Sequence, residues 1–310
     1  MKLLGIHHIT AIATDPQQNL DFYTRVLGLR FVKRTVNFDD PSAYHFYFGD
    51  RTGQPGTAIT FFPWPDARRG TRGVGQVVAT SFAIPTTSID YWKLRLREHQ
   101  ILCEEVAVRF GDSVVRLADP DGLLLELIAS AQLDNVDLGY DSEVSREFAI
   151  HGFHVPTLEV RHAKKTERLL EILGFELIGE ENSRRRFSVN QRSTSGSVDL
   201  VERPDGQFGV NSAGTVHHIA FRCANENEQL HWRNQLVDLG LHVTPVIDRQ
   251  YFHSIYFREP GGTLFEIATD GPGFTADEPV EHLGENLKLP PQYEAHREAI
   301  AQSLPKISLK

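Results

Sequence analysis

Apolar and polar residues follow a pattern that recurs four times along this chain. The two plainest copies begin at Gly5, with GIHHITAIATDPQQNLDFYTRVLGLRFV, and at Gly214, with GTVHHIAFRCANENEQLHWRNQLVDLGLHV. Each predicts a short strand, a polar stretch, an amphipathic helix, and a glycine followed by another strand. Weaker copies begin at Val77 and His151. Each copy ends in alternating apolar residues around a turn, as in REPGGTLFEIATD, which predicts a hairpin. The repeating unit is therefore predicted to be βαβββ.

Four such units predict an α+β fold in which the units pair into two domains with mixed, cup-shaped sheets. The acidic, poorly periodic linker at 131–149 is typical of a domain boundary. We therefore expect an N-terminal domain of two units at 1–135 and a C-terminal domain of two units at 148–272. The repeat stops after about Asp270. Residues 273–310 are predicted to form a C-terminal arm with a short helix near Gln292 to Ser303.

Composition narrows the classes of partner and site. The 310 residues include 41 acidic and 32 basic side chains, and the net charge of -9 opposes binding to nucleic acid or to an anionic membrane surface. No stretch approaches the roughly 20 apolar residues of a membrane helix, and no signal-peptide core is visible, so a cytoplasmic location is expected. Cys103 and Cys223 stand alone in their segments. A metal site would therefore have to use histidine and carboxylate ligands.

The register between the copies indicates where such ligands recur. Aligning Trp92 with Trp232 also brings Glu126 onto Glu266. The same alignment places Val78 opposite His218. The second copy is thus predicted to have the last-strand glutamate without the first-strand histidine.

The other copies hold different parts of the same set. The first has His8 on its first strand and Thr60 at the place of the glutamate, and the third has His154 but a leucine or an aspartate near Leu200. Only the fourth copy has both a histidine and a glutamate. Two imidazoles and one carboxylate can hold one metal ion and leave positions open for other ligands. From the residues alone, either His8 or His154 completes the set with His218 and Glu266.

A structural role must be weighed against each of these candidates. A lone histidine on a strand is more often hydrogen-bonded or exposed than a ligand, and this interpretation is given to His45, His99, His162, His231, His242, His253, His282 and His296. His8 and His218 stand out because they recur at one place in two copies. Glu266 lies in the apolar run TLFEIAT, where an unpaired buried carboxylate would be costly. Glu126 lies in a similar run and is interpreted as a relic or a salt-bridged core residue.

The last hairpin supplies further candidates near the glutamate. If its turn centres on Gly261, Tyr256 lies directly across from Glu266, and Ser254 and Arg258 share its face. Arg249 has two interpretations, a solvated cation or an anchor for an anionic intermediate, and its spacing favours the first. Of the aromatic residues Tyr44, Phe46, Phe48, Phe61 and Phe62, some could wall a pocket, but most are expected in the core.

At GIHHIT, TVHHIAF and GGTLFEIATD the sequence resembles the vicinal oxygen chelate (glyoxalase/bleomycin resistance/dioxygenase) superfamily, and more closely its ring-cleaving dioxygenases that act on hydroquinones. The similarity extends over nearly the whole chain, including TVNFDDPSAYHFYFGD and DRQYFHSIYFREPGGTLFEIATDGPGF. The resemblance implies an Fe(II) ion held by His8, His218 and Glu266, with Mn(II) or Zn(II) as alternatives in the purified protein. It thereby favours His8 over His154.

The resemblance also implies roles around the metal. Arg249, Tyr256 and His217 match the catalytic positions, and Thr10 and His7 match positions of the substrate pocket. The implied reaction is an extradiol-type cleavage of a small hydroquinone- or catechol-like aromatic by O₂, in the catabolism of aromatic compounds, and assembly as a homo-oligomer is left open.

Two other functions compete with this one. A glyoxalase-like isomerase or lyase usually has a fourth protein ligand, and Thr60 at that place argues against it. A non-catalytic binding protein of the same fold needs no metal ligands, so the two histidines and the glutamate argue against that function.

Overall fold

The computed structural model describes residues 1–104 and 107–309, and within them the chain forms two eight-stranded mixed sheets. The first sheet contains, in spatial order, β14 (Ile247–Asp248), β15 (Phe252–Arg258), β16 (Leu264–Pro272), β13 (Val216–Cys223), β1 (Ile6–Ala13), β4 (Ala58–Pro63), β3 (Asp40–Gly49) and β2 (Arg30–Asn37). The second contains β10 (Glu176–Glu181), β11 (Arg184–Ser188), β12 (Ser197–Glu202), β9 (Thr157–Val160), β5 (Gln76–Pro85), β8 (Leu124–Ser130), β7 (Asp112–Ala118) and β6 (Ala107–Arg109).

One helix follows the first strand of each predicted unit. The α-helices are α1 (Pro16–Asp21), α2 (Ile89–Glu98), α3 (Ala163–Ile172), α4 (Glu226–Asp238) and α5 (Arg297–Ser303). A π-helical turn at Phe22–Val26 extends α1, and short 3-10 turns lie at Thr86–Ser88, Thr194–Gly196, Phe274–Ala276, Val280–His282 and Pro291–His296. The predicted βαβββ unit is therefore confirmed four times. None of the helices in the described ranges is both long and apolar enough to cross a membrane.

The central tryptophans of α2 and α4 anchor these helices to the sheets. Trp92 and Trp232 are fully buried and belong to the main hydrophobic core, together with alternate residues of the strands such as Ile9, Ile219 and Phe265. Because successive strand residues point to opposite faces, the residues between these apolar positions face the concave side of the sheet. The core thus fixes which side chains reach the candidate site.

The sheets do not follow the predicted grouping of consecutive units. Strands of the first and fourth units form one sheet through the antiparallel pairing of β1 with β13, and strands of the second and third units form the other through β5 and β9. The domain bounds 1–135 and 148–272 cut across both sheets. Within each unit the first strand lies at one edge of the strands. Which other unit pairs with that edge depends on tertiary packing, which the local sequence pattern does not encode.

The third unit also begins later than the sequence pattern predicted. Its regular first strand starts at Thr157, and Phe153 makes only an isolated bridge to Phe82. Pro156 lies between these two segments and has no N–H to continue the ladder of hydrogen bonds. His154 therefore precedes the strand on which it was predicted to lie.

The C-terminal arm packs along the first sheet. Lys33, whose side chain is fully buried, pairs with Asp277 and Glu278 at 2.6 Å each. Farther along, the backbone N–H of Lys288 donates to the carbonyl of Arg34 at 2.9 Å. The arm thereby covers β2, the edge strand of the first sheet, whose free N–H and C=O groups would otherwise be open to another chain.

Candidate metal centre and its pocket

Three neighbouring strands bring the three predicted ligands together. In the antiparallel pair of β1 and β13, His218 lies opposite Thr10 and His8 lies opposite Ala220. In the parallel pair of β13 and β16, Ala220 lies beside Glu266. His8, His218 and Glu266 consequently face the same side of the sheet and form the group of potential metal ligands found in the described part of the chain.

The ligand atoms form a nearly equilateral triangle. The Nε2 atoms of His8 and His218 are 3.3 Å apart, and Glu266 Oε2 lies 3.3 Å from the first and 2.9 Å from the second. Three atoms bound at about 2.1 Å and at right angles around one ion would be about 3 Å apart. All three residues are buried. Their donor set and spacing therefore fit a facial two-histidine, one-carboxylate metal site.

Glu266 provides a second observation in favour of a metal. Its Oε2 atom is buried and accepts no hydrogen bond of acceptable geometry from the described residues, although both imidazoles are close. Ser254 donates to the other oxygen of the same carboxylate. A buried carboxylate oxygen without a donor is costly unless a cation compensates it.

A neighbouring histidine orients each imidazole ligand. His8 Nδ1 lies 2.9 Å from His7 Nδ1, and His218 Nδ1 lies 2.8 Å from His217 Nδ1. If Nε2 of each ligand is free for a metal, its Nδ1–H donates to the neighbouring Nδ1. His7 then donates its own Nε2–H to the carbonyl of Thr269 at 3.1 Å.

His217 differs from His7 in what its outer nitrogen meets. Its Nε2 has no hydrogen-bond partner among the described residues, and its ring lines the cavity in front of the ligands. Burial lowers the pKa of His217 to about 3, so the ring is neutral near pH 7. The geometry leaves one N–H of His217 available to a molecule in the cavity.

Arg249 and Tyr256 form the wall beside Glu266. Tyr256 lies directly across from Glu266 in the pair of β15 and β16, as its spacing predicted. Arg249 Nε donates to the Tyr256 hydroxyl at 3.2 Å, and its Nη2 lies 3.2 Å from Asp39 Oδ2. Burial and the nearby Glu266 raise the pKa of Tyr256, so the phenol keeps its proton. Arg249 is therefore not the solvated cation that its spacing favoured.

The cavity in front of the ligands has a volume of about 400 Å³. Its wall contains His8, Asn37, Phe38, Asp39, Asp40, His45, Tyr47, Phe62, Trp64, His217, His218, Arg249, Phe252, Tyr256 and Leu264. Of the five aromatic residues considered from the sequence, Phe62 lines this cavity. Tyr44, Phe46, Phe48 and Phe61 pack in the core, as expected for most of them.

Thr10 and His7 lie behind the ligands rather than in the cavity wall. Thr10 is fully buried, and its hydroxyl lies 2.8 Å from that of Thr60. His7 is buried against Phe252 and held by Thr269. Neither residue is in the wall of this cavity. Thr10 lies on the same concave face of β1 as His8, but its hydroxyl is engaged by Thr60, and the hydrogen bond to Thr269 holds His7 away from the cavity. The role of both residues at the substrate pocket stays a prediction.

His45 is hydrogen-bonded, which agrees with its interpretation from the sequence, but sequence reasoning did not predict that it lines the cavity. Its Nε2 lies 2.9 Å from the Thr60 hydroxyl, and its Nδ1 lies 2.9 Å from the Tyr47 hydroxyl. Thr60 lies beside Thr10 as Glu266 lies beside Ala220, so it does occupy the place predicted from the repeat. The register of β3 against β4, which pairs Tyr47 with Thr60, is the signal that could have revealed His45.

The second sheet holds the remaining candidates in a different arrangement. Glu126 accepts hydrogen bonds from Arg109, Arg116 and Ser81. Its interpretation as a salt-bridged core residue is confirmed. His154 Nε2 lies 3.9 Å from Asp112 Oδ2. Neither Glu126 nor His154 belongs to a group of three potential ligands among the described residues.

Strand register also corrects the alignment of the copies by one residue. Ala79 lies opposite Thr157 as His218 lies opposite Thr10, so Ala79, and not Val78, holds the place of His218. Counting back from Thr157, Val155 holds the place of His8. The segment from Ala79 to Trp92 is one residue shorter than the segment from His218 to Trp232, which the tryptophan alignment did not reveal.

Comparison with known proteins places the chain in a family. The Glyoxalase/Bleomycin resistance protein/Dioxygenase superfamily matches residues 5–127 and 164–267. A relative from Bacillus subtilis (strain 168), named ring-cleaving dioxygenase MhqO, is 47% identical over 98% of this chain and 96% of its own. The chlorohydroquinone/hydroquinone 1,2-dioxygenase of Sphingobium indicum is 32% identical over 98% of this chain and 96% of its own.

Solved structures agree with this placement. The crystal structure of a dioxygenase from Bacillus subtilis superposes with a TM-score of 0.95 at 46% identity, covering 100% of this chain and 99% of that one. A glyoxalase I mutant from Zea mays has the same fold, with a TM-score of 0.65 at 14% identity over 86% of this chain and 92% of that one. This chain belongs to the glyoxalase/bleomycin resistance protein/dioxygenase superfamily, which has the vicinal oxygen chelate fold.

Proposed function

We propose that this chain is an Fe(II)-dependent, ring-cleaving dioxygenase of the extradiol type that acts on hydroquinone- or catechol-like aromatics. His8, His218 and Glu266 would hold the metal. The triangle of ligand atoms with Thr60 at the fourth place carries the proposal. Relatives over nearly the whole chain are named ring-cleaving dioxygenases, one of them for hydroquinone, which supports the substrate class.

When bound, the metal would act as a Lewis acid that lowers the pKa of a coordinated ring hydroxyl and as a conduit for electrons to O₂. Three protein ligands leave positions for both reactants. Both atoms of O₂ enter the product, an acyclic unsaturated acid.

The residues around the cavity would orient the ring and handle its protons. Phe62, Trp64 and Phe252 give the wall an apolar part that accepts a flat aromatic molecule, and about 400 Å³ suits one substituted ring. Tyr256 remains protonated and can donate to an oxygen of the substrate. Arg249 places a permanent positive charge beside that phenol, where it would stabilise an anionic ring.

On the side of the cavity next to His218, His217 would take part in the proton transfers. Its Nδ1 is engaged with His218, while its Nε2–H is available toward the cavity. The Nε2–H of His217 would donate to a substrate oxygen and so fix the aromatic ring of the substrate relative to the imidazole of His218. His7, tied to Thr269, would act through His8 alone as a positioning residue.

One structural observation bears on the glyoxalase-like alternative. An isomerase of this fold would be expected to use a fourth protein ligand. Here the fourth place holds Thr60, whose hydroxyl is engaged by both His45 and Thr10. The dioxygenase is therefore preferred. A cytoplasmic location and the absence of nucleic-acid and membrane partners stay predictions from composition and charge.

Metal loading and product analysis test the proposal together. The protein would be freed of metal and reloaded anaerobically with Fe(II), Mn(II) or Zn(II). It would then be assayed with hydroquinone, methylhydroquinone and catechol under ¹⁸O₂. We expect oxygen uptake with Fe(II) and a ring-opened acid carrying two labelled atoms. Isomerisation of a hemithioacetal by the Zn(II) form, with no oxygen uptake by any form, would instead favour the isomerase.

A further inference from the structure

The second sheet contains a pocket at the position that corresponds to the candidate active site. Arg116 lies opposite Glu126 as Tyr256 lies opposite Glu266. The pocket in front of Glu126 has a volume of about 390 Å³, close to that of the cavity in the first sheet. The two sheets therefore carry equivalent pockets with different linings.

The lining of the second pocket excludes a metal. Ala79 holds the place of the ligand His218, so the first-strand imidazole is absent there. Both oxygens of Glu126 accept hydrogen bonds, from Arg109 at 2.7 and 2.8 Å, from Arg116 at 3.0 Å and from Ser81 at 2.8 Å. Guanidinium groups thus occupy the volume where a cation would have to bind.

Arginines reach this pocket from four separate segments of the chain. Arg72 precedes β5, Arg116 lies on β7, Arg184 on β11 and Arg203 just after β12, and all four line the cavity. Arg184 bonds to Thr157 and Asp199 through Nη1 alone, at 2.7 and 3.0 Å, which leaves N–H donors on its other two nitrogens. Such convergence is the arrangement by which guanidinium groups bind carboxylates.

The acidic residues of the rim do not use up these donors. Arg203 is 63% exposed and approaches Glu159 at 3.4 Å, and Arg116 approaches Glu104 at 3.4 Å. The exposed Arg116–Glu104 pair contributes little and is readily exchanged. Glu159 is buried, but it engages Arg203 through Nη2 alone, which leaves the other N–H donors of that guanidinium available. Arg72 is exposed and makes no hydrogen bond or ion pair with any described residue.

We propose that this pocket binds a small acyclic organic acid with two carboxylates, held by Arg72, Arg116, Arg184 and Arg203. The dicarboxylate would displace the exposed Arg116–Glu104 pair and accept hydrogen bonds from the free N–H groups, while the buried Glu126 cluster forms the floor. A cavity of about 390 Å³ with a polar lining has room for such a molecule. This site is separate from the candidate metal centre and does not depend on the proposed function.

Isothermal titration calorimetry with maleate at low ionic strength, in the absence of aromatic substrate, tests the proposal. The wild-type protein should bind about one maleate per chain. The Arg72→Ala/Arg203→Ala double variant removes the two exposed arginines and leaves the Glu126 cluster intact, and its affinity should fall by about tenfold or more. Arg192→Ala, an exposed arginine outside the pocket, and Arg249→Ala, in the first cavity, should bind as the wild type does.

Each other outcome would overturn the proposal. An absence of saturable binding to the wild type would mean that the pocket has no such ligand. Loss of binding in Arg249→Ala but not in the double variant would place the acid at the first cavity. Equal weakening by Arg192→Ala would indicate attraction to surface charge alone, and binding of inorganic phosphate without maleate would reject the dicarboxylate.

Discussion

Removing Arg109 should destabilise the second sheet while leaving the candidate metal centre intact. Arg109 and Glu126 form a buried pair in which two parallel N–H groups reach the two carboxylate oxygens at 2.7 and 2.8 Å. Arg109→Met keeps much of the apolar volume of the side chain but removes its charge. The carboxylate of Glu126 then stays buried with Arg116 and Ser81 as its remaining partners.

The expected magnitude follows from the pKa of Glu126. Burial raises this pKa, but the hydrogen bonds with Arg109, Ser81 and Arg116 outweigh burial and lower it from 4.5 to about 2. That difference corresponds to about 3 kcal/mol of preferential interaction with the ionised carboxylate. Breaking a buried pair typically costs about 3–5 kcal/mol, and the two remaining partners place Arg109→Met near the lower value.

The sign of the pH dependence provides a second readout. Because the folded-state pKa of Glu126 is depressed, the stabilisation from this group is complete above about pH 4.5 and is lost as the pH falls toward 2. In Arg109→Met the pKa should lie closer to 4.5. The loss of unfolding free energy between pH 4.5 and 2 should therefore be shallower than in the wild type.

Urea denaturation of a double-mutant cycle measures this interaction directly. The variants are Arg109→Met, Glu126→Gln and the two combined, and the double variant should cost about 2 kcal/mol less than the sum of the single variants. Additive effects would refute the reasoning, because they would mean that the two residues do not interact. Metal binding at His8, His218 and Glu266 should be unchanged in all three variants.

Three further predictions concern the phenol of Tyr256, a buried carboxyl group between β7 and β8, and the C-terminal arm. Tyr256→Phe removes the phenolic proton donor and should lower kcat of oxygen uptake by about 10²-fold with little change in bound metal; an unchanged kcat would remove Tyr256 from the chemistry. Asp119 is buried, and burial raises its pKa to about 7. Its contribution to stability should therefore fall as the pH rises from about 4 to 7. The unfolding free energy of Asp119→Asn minus that of the wild type should increase by about 2–4 kcal/mol between pH 4 and pH 8, and a constant difference would contradict this. Lys33→Met leaves the buried Glu278 without its cation at 2.6 Å, so limited proteolysis should release the C-terminal arm faster than in the wild type, whereas Lys288→Met, on the arm itself, should not change the rate.

The local pattern of the sequence was sufficient to predict the repeating unit. Alternation around HHIT and TLFEIAT reports which residues share a face of a strand, and the turn at Gly261 fixes Tyr256 across from Glu266. The residues alone left His8 and His154 as alternatives, and the resemblance favoured His8. The structure places His8 beside His218, because the first and fourth units share a sheet.

What the sequence could not reveal depends on contacts between distant segments. The pairing of β1 with β13 joins residues about 210 positions apart, and no local signal selects that edge. His45 acquires its partners only through the register of β3 against β4. From its spacing, Arg249 is interpreted as a solvated cation. In the structure it lies in the cavity wall, where it contacts Asp39 of another unit.

The most direct test of the central claim compares His8→Ala with His154→Ala in anaerobic Fe(II) binding and in oxygen uptake with methylhydroquinone. Urea denaturation of both variants would establish that each is folded. The proposed site predicts that His8→Ala loses both tight Fe(II) binding and ring-dependent oxygen uptake, while His154→Ala keeps about one Fe(II) per chain and most of the wild-type rate. Loss of Fe(II) in His154→Ala, with His8→Ala still loaded and active, would contradict the proposed site.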